Sequence, residues 1–145
     1  MINRFWDINK EYTKGFLKDY EYWALEVSYR QHTLGSFIIF LKNEKKEKIS
    51  ELNIKELGEL KMVMGEIEKA LFTNKIFKPD RFNYWQMGNK VHYLHVHGFP
   101  RYAKPRIFNG EEWIDKTWGN PPVWRKESIN EDLVVKVKDA VSLYL

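Results

Sequence analysis

Two short apolar runs joined by a turn and followed by a capped helical stripe constrain this chain more than any other feature. Residues 22–29 (Tyr-Trp-Ala-Leu-Glu-Val-Ser-Tyr) alternate. Trp23, Leu25, Val27 and Tyr29 fall on one face and Glu26 and Ser28 on the other, the period of a half-buried strand. His32 to Gly35 reads as a turn, and Ser36 to Leu41 as a second, more apolar strand. Asn53 then offers a helix cap, with Glu56 three residues on as in a capping box. Ile54, Leu57, Leu60, Met64, Ile67 and Leu71 recur behind it at helical spacing and predict a core-facing stripe.

The remainder of the chain extends this pattern. Lys78-Pro79-Asp80 closes the helical unit, residues 81–86 read as a strand, Met87 to Lys90 as a turn and 91–101 as another strand. Residues 103–127 hold three of the five prolines and three of the six tryptophans and predict an ordered but irregular segment. Asn130 caps a final helix carrying Leu133, Val134, Val137, Ala140, Val141 and Tyr144. Strands paired through tight turns, with helices at two places, predict an α+β fold with a mainly antiparallel sheet. At 145 residues without repeats or a compositional break, residues 1–145 read as one domain.

Composition removes several classes of function. The chain has no cysteine, which excludes a disulfide framework, a thiolate metal site and a cysteine nucleophile. No start of a secretion signal is visible, and no apolar stretch approaches the ~20 residues of a membrane helix, so a cytoplasmic protein is expected. The net charge of +4 suits a polyanionic partner only weakly. Lys42 to Lys48 also contains Glu44 and Glu47 and reads as a solvated turn, so a nucleic-acid partner is not the expectation.

The chemistry lies in Val91-His92-Tyr93-Leu94-His95-Val96-His97-Gly98-Phe99-Pro100-Arg101, which holds three of the four histidines. On a strand, Tyr93, His95, His97 and Phe99 share one face while His92, Leu94 and Val96 share the other. Leu94 and Val96 suit the core side, so His95 and His97 are expected to point outward toward a cleft. Imidazole titrates near neutral pH and can act as a neutral nucleophile or a cationic phosphate partner. A zinc site would need a third ligand. Glu111 and Glu112 are the nearest downstream carboxylates and His92 lies on the wrong face, so no metal site is expected.

The run from Asn83 to Tyr102, with Gly88-Asn89 and then His-x-His within it, resembles the signature of the histidine triad (HIT) superfamily. Gln31-His-Thr-Leu-Gly-Ser-Phe-Ile-Ile resembles the strand pair before that family's long helix. Trp118-Gly-Asn-Pro-Pro-Val-Trp124 resembles a tail seen in bacterial members related to diadenosine tetraphosphate hydrolases. The likeness is strongest over residues 20–125. It implies a five-stranded, mainly antiparallel sheet with a long helix after the second strand and a C-terminal helix, paired as a homodimer. It implies hydrolysis or transfer at the α-phosphate of a nucleotide conjugate, such as a dinucleoside polyphosphate, through a nucleotidyl-histidine. By motif position His95 is the nucleophile and His97 the third triad member. Asn83, Asn89, Tyr93, Ser36 and His32 are the expected substrate contacts. No cofactor is obligatory, and any divalent cation would come bound with the substrate phosphates. Tyr93 stands where the family has its first histidine, which leaves a nucleotide-binding module of weak or no activity as the alternative.

Overall fold

The computed structural model describes residues 14–125 and 130–145. Five strands form one sheet: β1 (Phe16–Asp19), β2 (Trp23–Val27), β3 (Phe37–Leu41), β4 (Arg81–Trp85) and β5 (His95–Arg101). Their order is β1-β2-β3-β5-β4 and every neighbouring pair is antiparallel. Helix α1 (Ile54–Thr73) follows β3, and helix α2 (Glu131–Ser142) lies near the C-terminal end. The arrangement is α+β, as the turn-linked strand pattern implies.

Both helices pack against β2, so Trp23, Leu25 and Val27 join Leu60, Val63, Ile67, Val134, Val137 and Val141 in one core. The capping box of α1 is present: Asn53 Oδ1 accepts from the Glu56 amide at 2.8 Å and Glu56 Oε1 accepts from the Asn53 amide at 2.9 Å. Asn130 caps α2 by accepting from the Leu133 amide.

The stripe of α1 is rotated from the one read in the sequence. Ile54 and Leu57 are exposed, while Glu56, Leu60, Val63, Ile67, Ala70 and Leu71 are buried. The inward line begins on a charged residue, Glu56, which is paired with Lys46 at 2.5 Å and whose carbonyl accepts from the Trp23 indole. A reading that follows apolar residues alone cannot place a stripe that starts with a carboxylate. Tyr144, expected on the apolar face of α2, lies past its end and is exposed.

Three further features differ from expectation. Strand β1 escaped the sequence reading, and the irregular stretch after residue 103 contains a hairpin, β6 (Arg106–Phe108) with β7 (Glu111–Trp113). Residues 126 and 127 of that stretch lie outside the described residues. β2 is buried on both faces rather than one, so Glu26, expected on a polar face, is 1% exposed. The second face of the sheet is covered because Phe16 and Tyr93 pack over Ala24, Ile38 and Phe40.

Candidate active site

The histidines stand on that second face. In the ladder His95 opposes Phe40 and His97 opposes Ile38 across β3. On the other side Trp85 opposes His97, Asn83 opposes Phe99 and Arg81 opposes Arg101. Directly opposed residues of an antiparallel pair share a face. His95, His97, Phe99 and Arg101 therefore form one row, with Trp85, Asn83 and Arg81 as a second row beside it. Gly98 faces the other way, where the Phe37 ring lies so close that an added Cβ would come within 2.2 Å of it.

Neither histidine is as open as the alternation implies: each is 9% exposed, because both faces of this sheet are covered. β5 also begins later than expected, at His95, and Val91 to Leu94 is not strand. Leaving the ladder turns the Tyr93 carbonyl back toward the ring two residues on, where it lies 2.9 Å from His95 Nδ1. A carbonyl only accepts, so Nδ1 carries the proton and Nε2 keeps its lone pair. Burial lowers the affinity of His95 for a second proton, and the Tyr93 carbonyl offsets this only in part.

His97 sits edge-on to His95 with ring centroids 5.0 Å apart. Burial pulls its pKa down to about 3, helped by the neighbouring His95 and His32. Both rings are therefore neutral at pH 7. His97 Nδ1 is buried and has no hydrogen-bond partner among the described residues.

The remaining residues expected at the site fall into two groups. Asn83, Tyr93 and Asn89 stay near the histidines or on the turn that precedes them. Asn83 Oδ1 accepts from Arg101 Nη1 at 2.8 Å. The Tyr93 ring lies 5.7 Å from that of His95. Asn89 is exposed in the turn between β4 and β5, next to Gly88, whose φ of 69° only glycine adopts freely. His32 and Ser36 are instead built into the turn between β2 and β3. Ser36 Oγ accepts from the Thr33 amide and donates to the Thr33 carbonyl. His32 Nδ1 accepts from the Arg125 amide at 2.8 Å, and its ring stacks on Trp124 at 4.2 Å. Trp124 in turn meets His97 edge-on at 5.0 Å. His92 points away from this group, with Nδ1 3.8 Å from Glu47.

Arg101 makes a buried ion pair. Its Nε and Nη2 bond both oxygens of Asp115, at 2.7 and 3.0 Å. Nη1 also donates to the Asn120 carbonyl and Nη2 to that of Thr117. All five N–H groups of the guanidinium are thereby used. Asp115 and Trp85 went unnoticed in the sequence. The period-two run Arg81, Asn83, Trp85, matching the histidine row, was the available signal for Trp85; nothing local marks Asp115. Among the described residues no group of three or more histidines and carboxylates is placed to hold a metal ion.

No protein-family model matches the sequence, and no curated protein matches it. The backbone does find counterparts. A histidine triad protein from Sinorhizobium meliloti superposes with a TM-score of 0.69 at 15% identity, over 94% of this chain and 95% of that one. One from Bradyrhizobium japonicum gives 0.65 at 18% identity, over 91% and 92%. The chain has the histidine triad fold. Diadenosine triphosphate hydrolase from Plasmodium falciparum shares it, with a TM-score of 0.64 at 12% identity over 90% of this chain and 76% of that one. Within the histidine triad pattern the chain carries Tyr93, His95 and His97 in sequence, with the central residue on the first position of β5.

Proposed function

We propose that this protein is a nucleotide hydrolase or nucleotidyl transferase that acts at the α-phosphate of a nucleotide conjugate through a covalent intermediate on His95. The observation that carries the reading is the bond from His95 Nδ1–H to the Tyr93 carbonyl, which leaves Nε2 as a neutral nucleophile. Nε2 attacks phosphorus, the P–O bond to the leaving group breaks, and its electron pair departs on that oxygen. The nucleotidylated ring is cationic, and the Tyr93 carbonyl accepts from its remaining N–H. Water or another acceptor then forms a new bond to phosphorus, gives up a proton to solvent, and returns the P–N electron pair to Nε2. Dividing one displacement into two easier ones is the gain of covalent catalysis.

Phosphoanhydrides fit this site better than phosphoramidates. A phosphate departs as an anion, whereas an amine must be protonated as it leaves, and neither His95 nor His97 holds a spare proton at pH 7. Asn83 and Asn89 supply amide donors for phosphate or ribose oxygens, and Tyr93 one hydroxyl. Ser36 acts at one remove, through the turn it holds, and His32 through Trp124, which meets His97 edge-on. The protein would work as a cytoplasmic homodimer. Among the described residues no helix is long and apolar enough to cross a membrane.

Incubation with diadenosine tetraphosphate tests the assignment. Wild type releases a mononucleotide, and His95→Ala loses at least about a thousandfold in rate, as removal of a nucleophile does. Full cleavage by His95→Ala would sink the reading. Tyr93 favours a second one: a neutral phenol at the first triad position supports nucleotide binding with little turnover. That version predicts saturable nucleotide binding and no product from wild type.

A further inference from the structure

A cavity of about 450 Å³ opens beside the histidine row, on the face of β4. Arg81, Asn83 and Trp85 form its floor, and Trp118 and Pro121 stand in its wall. It adjoins the proposed reaction centre: of its lining residues, Trp85 opposes His97 and Asn83 opposes Phe99 in the ladder. Alternate residues of a strand are about 7 Å apart, so Trp85, Asn83 and Arg81 lead away from His97 over about 13 Å.

The polar groups of the cavity divide into spent and available ones. Arg101 is 2% exposed and all its N–H groups are engaged, so it builds the wall. By occupying Asn83 Oδ1 it also fixes which way that amide faces, leaving the Asn83 NH₂ to donate elsewhere. Arg81 is exposed and has no carboxylate partner among the described residues. Trp118 leaves 41% of its surface in water at the lip. The wall is stiff, since Arg101 holds the Asn120 carbonyl and Pro121 and Pro122 follow with restricted φ. Two indoles, one unpaired guanidinium and one oriented amide donor match a flat ring carried on an anionic chain.

We propose that this cavity is the leaving-group pocket. It takes the distal nucleoside of a dinucleoside polyphosphate, with the base against Trp118 and Trp85 and the bridging phosphates on Asn83 and Arg81. The proposal rests on the hydrolase reading above and narrows its substrate class to conjugates with an aromatic group on both ends. A nucleoside phosphoramidate with a small amine reaches His95 and leaves this pocket empty.

The test uses the full chain carrying His95→Asn, so that no turnover occurs, with ¹⁵N-labelled indoles. The Trp118 signal is identified by its loss in Trp118→Phe. Diadenosine tetraphosphate is expected to move the Trp118 signal, while adenosine monophosphate moves other indole signals and leaves it in place. If diadenosine tetraphosphate at saturation moves other indoles but not Trp118, the pocket assignment fails and the His95 reading survives. If no indole responds to either nucleotide, both fail together. In the His95 background, Arg81→Ala or Trp118→Ala should lower kcat/KM on diadenosine tetraphosphate about tenfold, mainly through KM, in line with the loss of one stacked base or one phosphate contact. The loss on a nucleoside phosphoramidate should be several-fold smaller. Equal losses on the two substrates would overturn the proposal.

Discussion

Replacing Arg101 by methionine removes five donors from four acceptor groups at once: Asp115, Asn83, Asn120 and Thr117. The carboxylate of Asp115 is the costliest of these to abandon, since its side chain is only 3% exposed. It would keep only backbone bonds, from the Tyr102 amide at 3.2 Å and from the Thr117 amide. Breaking a buried pair by removing one partner costs about 3–5 kcal/mol. A domain of this size has about 5–15 kcal/mol in all. With a urea slope of about 1–3 kcal/mol per molar, the unfolding midpoint should fall by at least about 1 M. Equilibrium unfolding at pH 7 followed by tryptophan fluorescence reads this directly. Arg101→Met with Asp115→Leu should recover a large part of the loss, because the stranded charge is then absent. A loss below about 1 kcal/mol in the single variant, or strict additivity in the double, would refute the view that the pair is closed to water and pins residues 115–120 to β5.

Two further outcomes concern pH and one buried acid. His95 and His97 titrate below the ordinary value of 6.5 when folded, so each binds fewer protons folded than unfolded. Their contribution is complete above pH 6.5 and is lost as pH falls below it, for His97 toward about 3, with a slope of up to about 1.4 kcal/mol per pH unit for each group. His97→Asn should flatten this slope between pH 6 and 4 in urea titrations, and an unchanged slope would count against a neutral, buried ring. Glu26 runs in the opposite sense. Burial, with no hydrogen-bond partner among the described residues, raises its pKa well above 4.5, so its proton stabilises the fold at low pH and that contribution fades as pH rises past 4.5. Glu26→Gln should match wild type at pH 4 and exceed it by about 1–3 kcal/mol at pH 8; equal thermal midpoints at pH 8 would contradict this.

Much of this architecture was readable because its signals are local. Period-two alternation marks β2 and β5, and the Asn53–Glu56 box sets the start of α1 from the identity of two side chains. The features that were not readable depend on partners distant in sequence. The burial of Glu26 depends on what covers the second face of the sheet, and alternation within residues 22–29 carries no record of that. Asp115 is identified only by the arginine fourteen residues before it. Ser36 spends its hydroxyl on Thr33 within the hairpin turn, and His32 bonds the Arg125 backbone 93 residues on, partners that no local pattern around residue 32 announces.

The late start of β5 has a consequence for how such a site can vary. Leu94 is held at both polar groups, its carbonyl by the Leu41 amide and its amide by the Lys46 carbonyl, and Tyr93 lies just beyond that clamp. Had the ladder run on through residue 91, the Tyr93 carbonyl would point sideways along the sheet and the proton on His95 would lose its anchor. The length and composition of the connection from Gln86 to His92 thus govern a tautomer. Insertions or deletions there can retune the basicity of His95, the proposed nucleophile, while every histidine stays in place, so backbone geometry alone can shift the properties of the ring.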